Sequence, residues 1–416
     1  MNGHFAYRND ALHCEDVALS DIAARAGTPC YVYSAAAAVE RYRAYASALE
    51  GVPHRICYAA KANSNLALLS VLAREGAGFD IVSGGELYRV LRAGGDPGSV
   101  VFSGVGKTAA EIEYALRERI HSFNCESEPE LALTDALAAR LGVTARVALR
   151  VNPDVDAATH PYISTGLREH KFGIDITEVE AAYARARAFP RLQIEGVSCH
   201  IGSQILDISA LLEAVDRMIA LAGRLRAAGF PIRNLDLGGG LGVPYTPESE
   251  GPDIAVYARA VRDRVKDHDL TLMLEPGRSV VAEAGVLLTR VLYRKRTPAG
   301  KEFVVVDAAM NDLIRPALYR AHHEVIPLRR APLGTIRADV VGPVCETGDF
   351  LARDREMANV FPGDLLAVCT AGAYGFVAAS NYNSRPRAPE VLVEGPRWRT
   401  VRERETFEDL VRGESC

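Results

Sequence analysis

The sequence lacks a surplus of basic residues, a long apolar run and any closely spaced pair of cysteines. Its 416 residues carry a formal net charge of −5, so a basic face for the phosphates of nucleic acid is not expected. No stretch is apolar over the length that a membrane span needs, and the N-terminus has no apolar signal-peptide core. We therefore expect a cytoplasmic protein that binds neither nucleic acid nor membrane.

The eight cysteines are scattered, and none forms a CxxC pair. Neither a zinc site nor a disulfide framework is indicated, and no metal is expected. Most of these thiols are expected to be small buried hydrophobes. With 48% hydrophobic and 24% charged residues, the chain can build a large core, and its length suits two or three domains.

Short apolar runs alternate with helical patterns through most of the chain. This alternation predicts a parallel sheet, and eight runs predict an α/β fold with a closed (β/α)8 barrel of the TIM type. The predicted strands are residues 56–60, 79–82, 100–102, 121–124, 145–151, 193–199, 234–237 and 271–275. The predicted helices are residues 65–75, 85–93, 108–118, 127–141, 177–188, 209–228 and 252–268.

Beyond about residue 285 the pattern changes to short β-rich runs separated by proline and glycine. It predicts a second, mostly antiparallel β domain with strands near 286–293, 303–307, 336–341, 365–370 and 389–393. We expect the barrel domain over 28–280, beginning with a strand at Cys30–Tyr33 and a helix at 35–49. The β domain is expected over 281–416, joined by residues 1–27, and the charged tail from Glu403 could be helical.

Polar residues and glycines follow the predicted strands, where barrels place their reactive groups. Lys61 follows the first strand, His200 the sixth and a glycine run at 238–242 the seventh, while Glu275 closes the eighth. A lysine at the mouth of a packed core has a lowered pKa and can act as an amine nucleophile. Taken alone, Lys61 is more often the surface lysine of a strand–helix junction.

These strand ends together match what a pyridoxal phosphate site requires. The glycine run could cradle a phosphate, although such a run alone is more often a turn; Ser203 and Arg278 could add a hydroxyl and a cation. Glu275 could form a structural salt bridge or face a protonated ring nitrogen. His200 could be a satisfied core histidine or lie flat against a cofactor ring. Their joint occurrence predicts the cofactor.

Nine longer motifs cover the chain nearly end to end. In the barrel they are YAAKAN at 58–63, FDIVSGGEL at 79–87, FSGVGKT at 102–108, HIGSQ at 200–204, LGGGLG at 237–242 and EPGR at 275–278. In the β domain they are DAAMNDLIRPALY at 307–319, GPVCETGD at 342–349 and AGAYG at 371–375. With these motifs the sequence resembles the diaminopimelate decarboxylase family, in the alanine-racemase-like (fold type III) class of pyridoxal phosphate enzymes.

The resemblance implies that pyridoxal 5'-phosphate is used to decarboxylate meso-2,6-diaminopimelate at its D-centre, yielding L-lysine and carbon dioxide. Lys61 would hold the cofactor as a Schiff base, and Cys345 would protonate Cα afterwards. The residues implied to contact the cofactor are Lys61, Asp80, His200, Ser203, Gly240, Glu275, Gly277, Arg278 and Tyr374. The substrate would be bound by Arg278, Arg315 and Tyr319 at its distal carboxylate, by Glu346 at its distal ammonium, and by Tyr374.

The resemblance also implies a homodimer with shared active sites, in which Cys345 and Glu346 serve the neighbouring subunit. The loop at 168–173 would help to shape the pocket. On spacing alone, a packing role for Cys345 and an ordinary ion pair between Arg315 and Glu346 would be favoured.

Three other functions are weighed against this one. A decarboxylase of ornithine, arginine or carboxynorspermidine is the nearest, but ornithine and arginine lack the distal carboxylate that Arg278 and Arg315 would share. An amino acid racemase usually has an arginine where Glu275 stands. A non-catalytic homologue would be signalled by loss of Lys61 or Cys345, and both are present.

Overall fold

The computed structural model describes residues 3–155 and 171–416. The described residues divide between two compact units, one within Met1–Glu40, Pro244–Glu250 and Val280–Cys416, the other within Arg41–Val243 and Gly251–Ser279. We call the first the β unit and the second the barrel unit. Across these residues, no helix has both the length and the apolar character that crossing a membrane requires.

The N-terminal part of the β unit forms a small antiparallel sheet and one strand of a larger sheet. The small sheet consists of β1 (Phe5–Arg8), β2 (Ala11–Cys14) and β3 (Val17–Ala18). Helix α1 (Leu19–Ala26) buries Leu19, Ile22 and Ala23, the spacing of one apolar helix face. Strand β4 (Cys30–Ser34) is buried at all five positions and leads into α2 (Ala35–Ala48).

The barrel unit is a closed ring of eight parallel strands, as predicted. They are β5 (His54–Ala59), β6 (Gly78–Ile81), β7 (Val100–Phe102), β8 (Ser122–Cys125), β9 (Ala145–Asn152), β11 (Leu192–Cys199), β12 (Asn234–Asp236) and β13 (Thr271–Leu274). Their order is β9-β11-β12-β13-β5-β6-β7-β8, and the pairing of β8 with β9 closes the ring. A two-residue strand, β10 (Ile174–Asp175), pairs with the end of β9.

The predicted barrel helices are all present, and six of them begin at a side-chain cap. They are α3 (Leu66–Arg74), α4 (Gly84–Arg92), α5 (Ala109–Glu118), α6 (Glu128–Leu141), α7 (Val179–Ala186), α8 (Ile208–Ala227) and α9 (Ile254–Val265). Each cap accepts a hydrogen bond from a backbone N–H of the first turn, and the capping residues are Asn65, Ser83, Thr108, Ser127, Asp207 and Asp253. Such caps stabilise a helix by about 1 kcal/mol each, and they fix where the loops after the strands end.

The rest of the β unit is a mostly antiparallel sheet in the order β18-β17-β15-β14-β4-β20-β21, with β19 pairing both β14 and β16. Its strands are β14 (Gly285–Arg296), β15 (Glu302–Val306), β16 (Val325–Pro327), β17 (Thr335–Val341), β18 (Phe350–Ala358), β19 (Leu365–Val368), β20 (Glu390–Glu394) and β21 (Arg397–Arg402). The short helices are α11 (Arg315–Tyr319) and α12 (Phe407–Leu410), and α10 (Arg278–Val281) spans the change of unit after Ser279.

The structure differs from the sequence prediction at both ends of the β unit. The predicted barrel domain begins at residue 28, whereas β4 pairs with β14 and β20 of the antiparallel sheet. A strand buried on both faces shows no alternation of apolar and polar residues, so its sequence cannot be distinguished from that of a barrel strand. In the tail, only Phe407–Leu410 is helical.

Candidate active site

Lys61 lies just beyond β5, in a single 3-10 turn at Ala60–Ala62. Its Nζ donates a hydrogen bond to Asp80 Oδ2 across 2.7 Å. The lysine side chain is 34% exposed, whereas that of Asp80, in β6, is completely buried. Asp80 Oδ1 has no hydrogen-bond partner among the described residues. The amine is thus open to a small molecule while its partner carboxylate is not.

A second group of carboxyls is buried at the ends of β12 and β13. The amide nitrogen of Asn124 donates to Asp236 Oδ2 at 2.8 Å and to Glu275 Oε1 at 3.2 Å. Ser103 Oγ lies 3.3 Å from Glu275 Oε1. Burial raises the pKa of Asp236, and it raises the pKa of Glu275 well above its usual range with help from the charges of Asp236 and Asp80. Each of these two carboxyls is therefore shifted toward its protonated form, and a nearby cation would stabilise the charged form.

The glycine run after β12 presents bare backbone beside this group. Gly238 and Gly240 have φ values of +64° and +113°, which favour glycine. A Cβ on Gly239 would lie 2.3 Å from the carbonyl oxygen of Glu275, and one on Gly240 would lie 2.7 Å from that of Gly202. No side chain fits at Gly239 or Gly240, and both glycines are partly exposed, so bare backbone is accessible here to an anion such as a phosphate.

Three further side chains border the same strand ends. Arg278 donates a hydrogen bond to Ser203 Oγ at 3.1 Å. His200 Nδ1 accepts from the backbone N–H of Gly239 at 3.2 Å. Burial lowers the pKa of His200 well below its ordinary value, and the charges of Lys61 and Arg150 act in the same direction. The imidazole is therefore neutral.

The barrel unit therefore fits pyridoxal phosphate on the residues' own chemistry. An accessible amine, a buried acid group that favours a cation, bare glycine backbone, and a hydroxyl joined to a guanidinium lie at the ends of neighbouring strands. A side chain on Gly277 would come within 2.9 Å of Ala62 Cβ, so the lysine turn packs directly on this glycine. The predicted cofactor residues that the structure gathers here are Lys61, Asp80, His200, Ser203, Gly240, Glu275, Gly277 and Arg278.

The other predicted residues lie in the β unit. Arg315 and Tyr319 are one turn apart on α11, and Arg315 is 5% exposed. Cys345 and Glu346 follow β17. Cys345 is exposed, which rules out a packing role, and the Glu346 carboxylate raises the pKa of the nearby Tyr382 hydroxyl.

The remaining predicted site residue, Tyr374, follows β19 with a φ of +55°. Residues 168–170 of the predicted pocket-shaping loop, 168–173, lie outside the described residues.

Comparison with known proteins identifies the family. Residues 35–282 match the model of the pyridoxal-dependent decarboxylase, pyridoxal binding domain. The chain is 59% identical to diaminopimelate decarboxylase of Pseudomonas aeruginosa over 99% of this chain and 98% of that protein. It belongs to the diaminopimelate decarboxylase family. The Vibrio cholerae member is 53% identical over 98% and 97% of the two chains. The crystal structure of the M. jannaschii member in co-complex with L-lysine has a TM-score of 0.95 and 38% identity, covering 100% of this chain and 98% of that one.

The structure adds residues to the candidate site that have no role in the prediction from sequence. Ser103 directly follows β7 and Asn124 lies near the end of β8, so a position at a strand end, as for Lys61, is the signal that the sequence offers. Asp236 falls within the predicted strand 234–237, because the residues on both sides of it are leucines. Asp236 is joined to Glu275 through the amide of Asn124, which lies 112 residues before Asp236 in the chain, and no local pattern shows this connection.

Proposed function

We propose that this chain decarboxylates meso-2,6-diaminopimelate to L-lysine and carbon dioxide, as a carboxy-lyase that uses pyridoxal 5'-phosphate. The observation that carries the proposal is the accessible amine of Lys61, held 2.7 Å from the buried Asp80 carboxylate beside the glycine run. The 59% and 53% sequence identity to two diaminopimelate decarboxylases, over nearly the full length of each chain, supports this choice of substrate.

In this proposal the barrel unit holds the cofactor. Lys61 binds it covalently through Nζ. Glu275, whose Oε1 accepts a hydrogen bond from Asn124, faces the ring nitrogen, and His200 covers one ring face. The phosphate is held by Ser203, Gly240, Gly277, Arg278 and Tyr374. When bound, the cofactor accepts the electrons left behind by the departing carboxyl group.

The β unit completes the active site in this proposal. The guanidinium groups of Arg315 and Arg278, with Tyr319, hold the distal carboxylate of the substrate, because the arginine fork matches a carboxylate. Glu346 binds the distal ammonium, and Tyr374 borders the substrate. Cys345 Sγ then delivers a proton to the carbon that has lost carbon dioxide.

The proposed assembly is a homodimer in which Cys345 and Glu346 serve the neighbouring subunit. A mixing experiment tests it with Lys61→Ala and Cys345→Ala, each expected to be inactive alone. If the sites are shared, hybrid dimers regain one intact site, and an equal mixture recovers about a quarter of the wild-type activity. Sites built within one chain give no recovery, which contradicts the proposal.

We also propose a cytoplasmic location. All eight cysteines are free thiols, and six of them are buried. A reducing compartment keeps thiols in this state. Fractionation of cells that produce the protein, with a periplasmic and a cytoplasmic marker enzyme as controls, tests the location directly.

The activity is tested with purified protein and pyridoxal 5'-phosphate. Release of carbon dioxide and of lysine is measured with meso-diaminopimelate, and ornithine and arginine are run in parallel. We expect turnover of diaminopimelate alone, lost in Lys61→Ala. Turnover of ornithine or arginine instead contradicts the substrate, and no turnover with bound cofactor contradicts the enzyme assignment.

A further inference from the structure

Arg315 is held on two sides by other residues of the β unit. Its guanidinium lies 4.4 Å from the centre of the Tyr245 ring. Its Nη1 lies 2.8 Å from Nε2 of His323, which is completely buried. The rings of Tyr245 and His323 meet edge to face, with centroids 5.3 Å apart. The two rings therefore fix the plane of the guanidinium as well as its position.

The contacts of His323 determine its protonation state. Nδ1 lies 2.8 Å from the carbonyl oxygen of Cys369, and a carbonyl can only accept, so Nδ1 carries the hydrogen. Nε2 faces the guanidinium of Arg315, which can only donate, so Nε2 presents its lone pair. His323 is thus a neutral imidazole with one defined tautomer, which accepts from Arg315.

The backbone around His323 is anchored to the sheet. The backbone N–H of Cys369, just beyond β19, donates to the carbonyl of Glu324 at 2.8 Å. Arg355, in β18, donates to the carbonyl of His323 at 2.9 Å. The ring can therefore shift little, and Arg315 is positioned from a rigid part of the β unit.

We propose that His323 is a positioning residue that orients Arg315 toward the distal carboxylate of the substrate and so determines selectivity for ligands that carry this carboxylate. The inference rests on the proposed function, in which Arg315 binds that group. An arginine side chain has many rotamers, and restricting it before the ligand arrives lowers the entropy lost on binding. A guanidinium fixed in one plane also favours a bidentate carboxylate over other acceptors.

A purely structural role for His323 makes a different prediction. Loss of a packing contact lowers stability and affects all ligands alike. Loss of orientation affects only ligands with the distal carboxylate. L-lysine and cadaverine separate the two roles, because cadaverine is lysine without its carboxylate.

The experiment uses two replacements that each keep one half of the imidazole. In His323→Asn the amide nitrogen can replace Nδ1 as donor to Cys369, but no acceptor faces Arg315. In His323→Gln the amide oxygen can replace Nε2 as acceptor. Dissociation constants of L-lysine and cadaverine are measured by titrating the absorbance of the cofactor-loaded protein.

We expect His323→Asn to raise the dissociation constant of lysine about tenfold or more, because a hydrogen bond to a charged group is lost. The dissociation constant of cadaverine should stay within about twofold of the wild-type value. His323→Gln is expected to retain most of the lysine affinity. Equal weakening of both ligands, or of neither, overturns the inference. If the wild-type protein does not prefer lysine to cadaverine, the carboxylate role of Arg315 itself fails.

Tyr245→Leu provides a second test if His323→Asn does not fold. It removes the ring that covers the guanidinium and leaves the histidine in place. We expect the same selective loss of lysine affinity, by about fivefold, because a cation–π contact in a partly desolvated site is worth about 1 kcal/mol. An unchanged ratio of the two dissociation constants overturns the inference.

Discussion

Lys107 Nζ lies 2.6 Å from Glu130 Oε1, and the two side chains are only 1% and 8% exposed. Nζ also donates to the carbonyls of Gly104 at 2.8 Å and Asn124 at 2.7 Å. The three ammonium hydrogens therefore all have acceptors. This ion pair joins the chain after β7 to the end of β8, the two segments that carry Ser103 and Asn124.

Lys107→Met should therefore be strongly destabilising. It leaves the Glu130 carboxylate buried without its cation, which costs about 3–5 kcal/mol of unfolding free energy. Urea unfolding measures this change. Arg337→Met is the control, because Arg337 pairs with Asp354 at 2.7 Å while both side chains are exposed, 68% and 73%, and little or no loss is expected. Equal losses in both variants would show that burial does not decide the effect.

Glu86 should make stability depend on pH. Burial raises its pKa to about 7, and the Asp80 charge adds to this against the hydrogen bond from the Val82 N–H. The unfolded chain has the ordinary pKa of 4.5, so between these values the folded state binds more protons and stability falls as pH rises. Glu86→Gln removes this loss, so its free energy of unfolding should exceed that of the wild type by about 2 kcal/mol at pH 8 and differ little near pH 4.

Thermal melts between pH 4 and pH 8 test this, with Glu111→Gln as the control of opposite sign. Hydrogen bonds from the backbone of Gly84, and from Thr108, lower the pKa of Glu111. A carboxylate with a lowered pKa stabilises the fold above its unfolded pKa and loses this effect as pH falls. Glu111→Gln should therefore be less stable than the wild type at pH 8. Curves that run parallel for all three proteins would refute the assignment.

Asn124→Leu should weaken retention of the cofactor. The substitution removes a donor that Asp236 and Glu275 share, so the charged form of each carboxyl is less stabilised and each binds a proton more tightly. We expect at least about tenfold faster loss of pyridoxal phosphate on dialysis. Ser198→Ala is the control, since this buried hydroxyl has no hydrogen-bond partner within residues 3–155 and 171–416, and retention should not change. Equal loss from both variants would contradict the role of Asn124.

Two glycines offer a test of the close-packed backbone. Gly239→Ala places a Cβ 2.3 Å from the carbonyl oxygen of Glu275, so the strand end must shift and the cofactor should no longer bind. Gly223→Ala, in α8, meets no atom within 4 Å and should raise stability by about 0.5–1 kcal/mol. Calorimetric melts and cofactor absorbance compare the two. Cofactor binding by Gly239→Ala at the wild-type level would refute the cradle.

The sequence predicts the barrel well because its signals are local. Apolar runs, helix periodicity and capping residues such as Ser83 and Thr108 each act within a few positions, and together they determine where the elements begin. The strand-end rule then places Lys61, His200 and Glu275 at the same edge. It does so without any knowledge of distances, because parallel strands in a barrel end on the same face.

The parts that the sequence does not reveal depend on partners far along the chain. Strands β18 and β21 carry several arginines, since part of each strand is solvent-exposed, and they lack an apolar run. Asn124 and Asp236 are 112 residues apart in sequence, and Tyr245 and Arg315 are 70 residues apart. Such contacts follow from tertiary packing, and no local sequence pattern predicts them.

The position of β4 has a consequence for the order in which the protein is made. Tyr31 of β4 pairs with Glu390 of β20, about 360 residues later in the chain. At about 5–20 residues per second on the ribosome, β20 emerges some 20–70 s after β4. The whole barrel sequence is released during this time. One of the first strands to leave the ribosome thus keeps one edge unpaired until synthesis is almost finished. A chaperone that shields nascent chains would matter most during this interval.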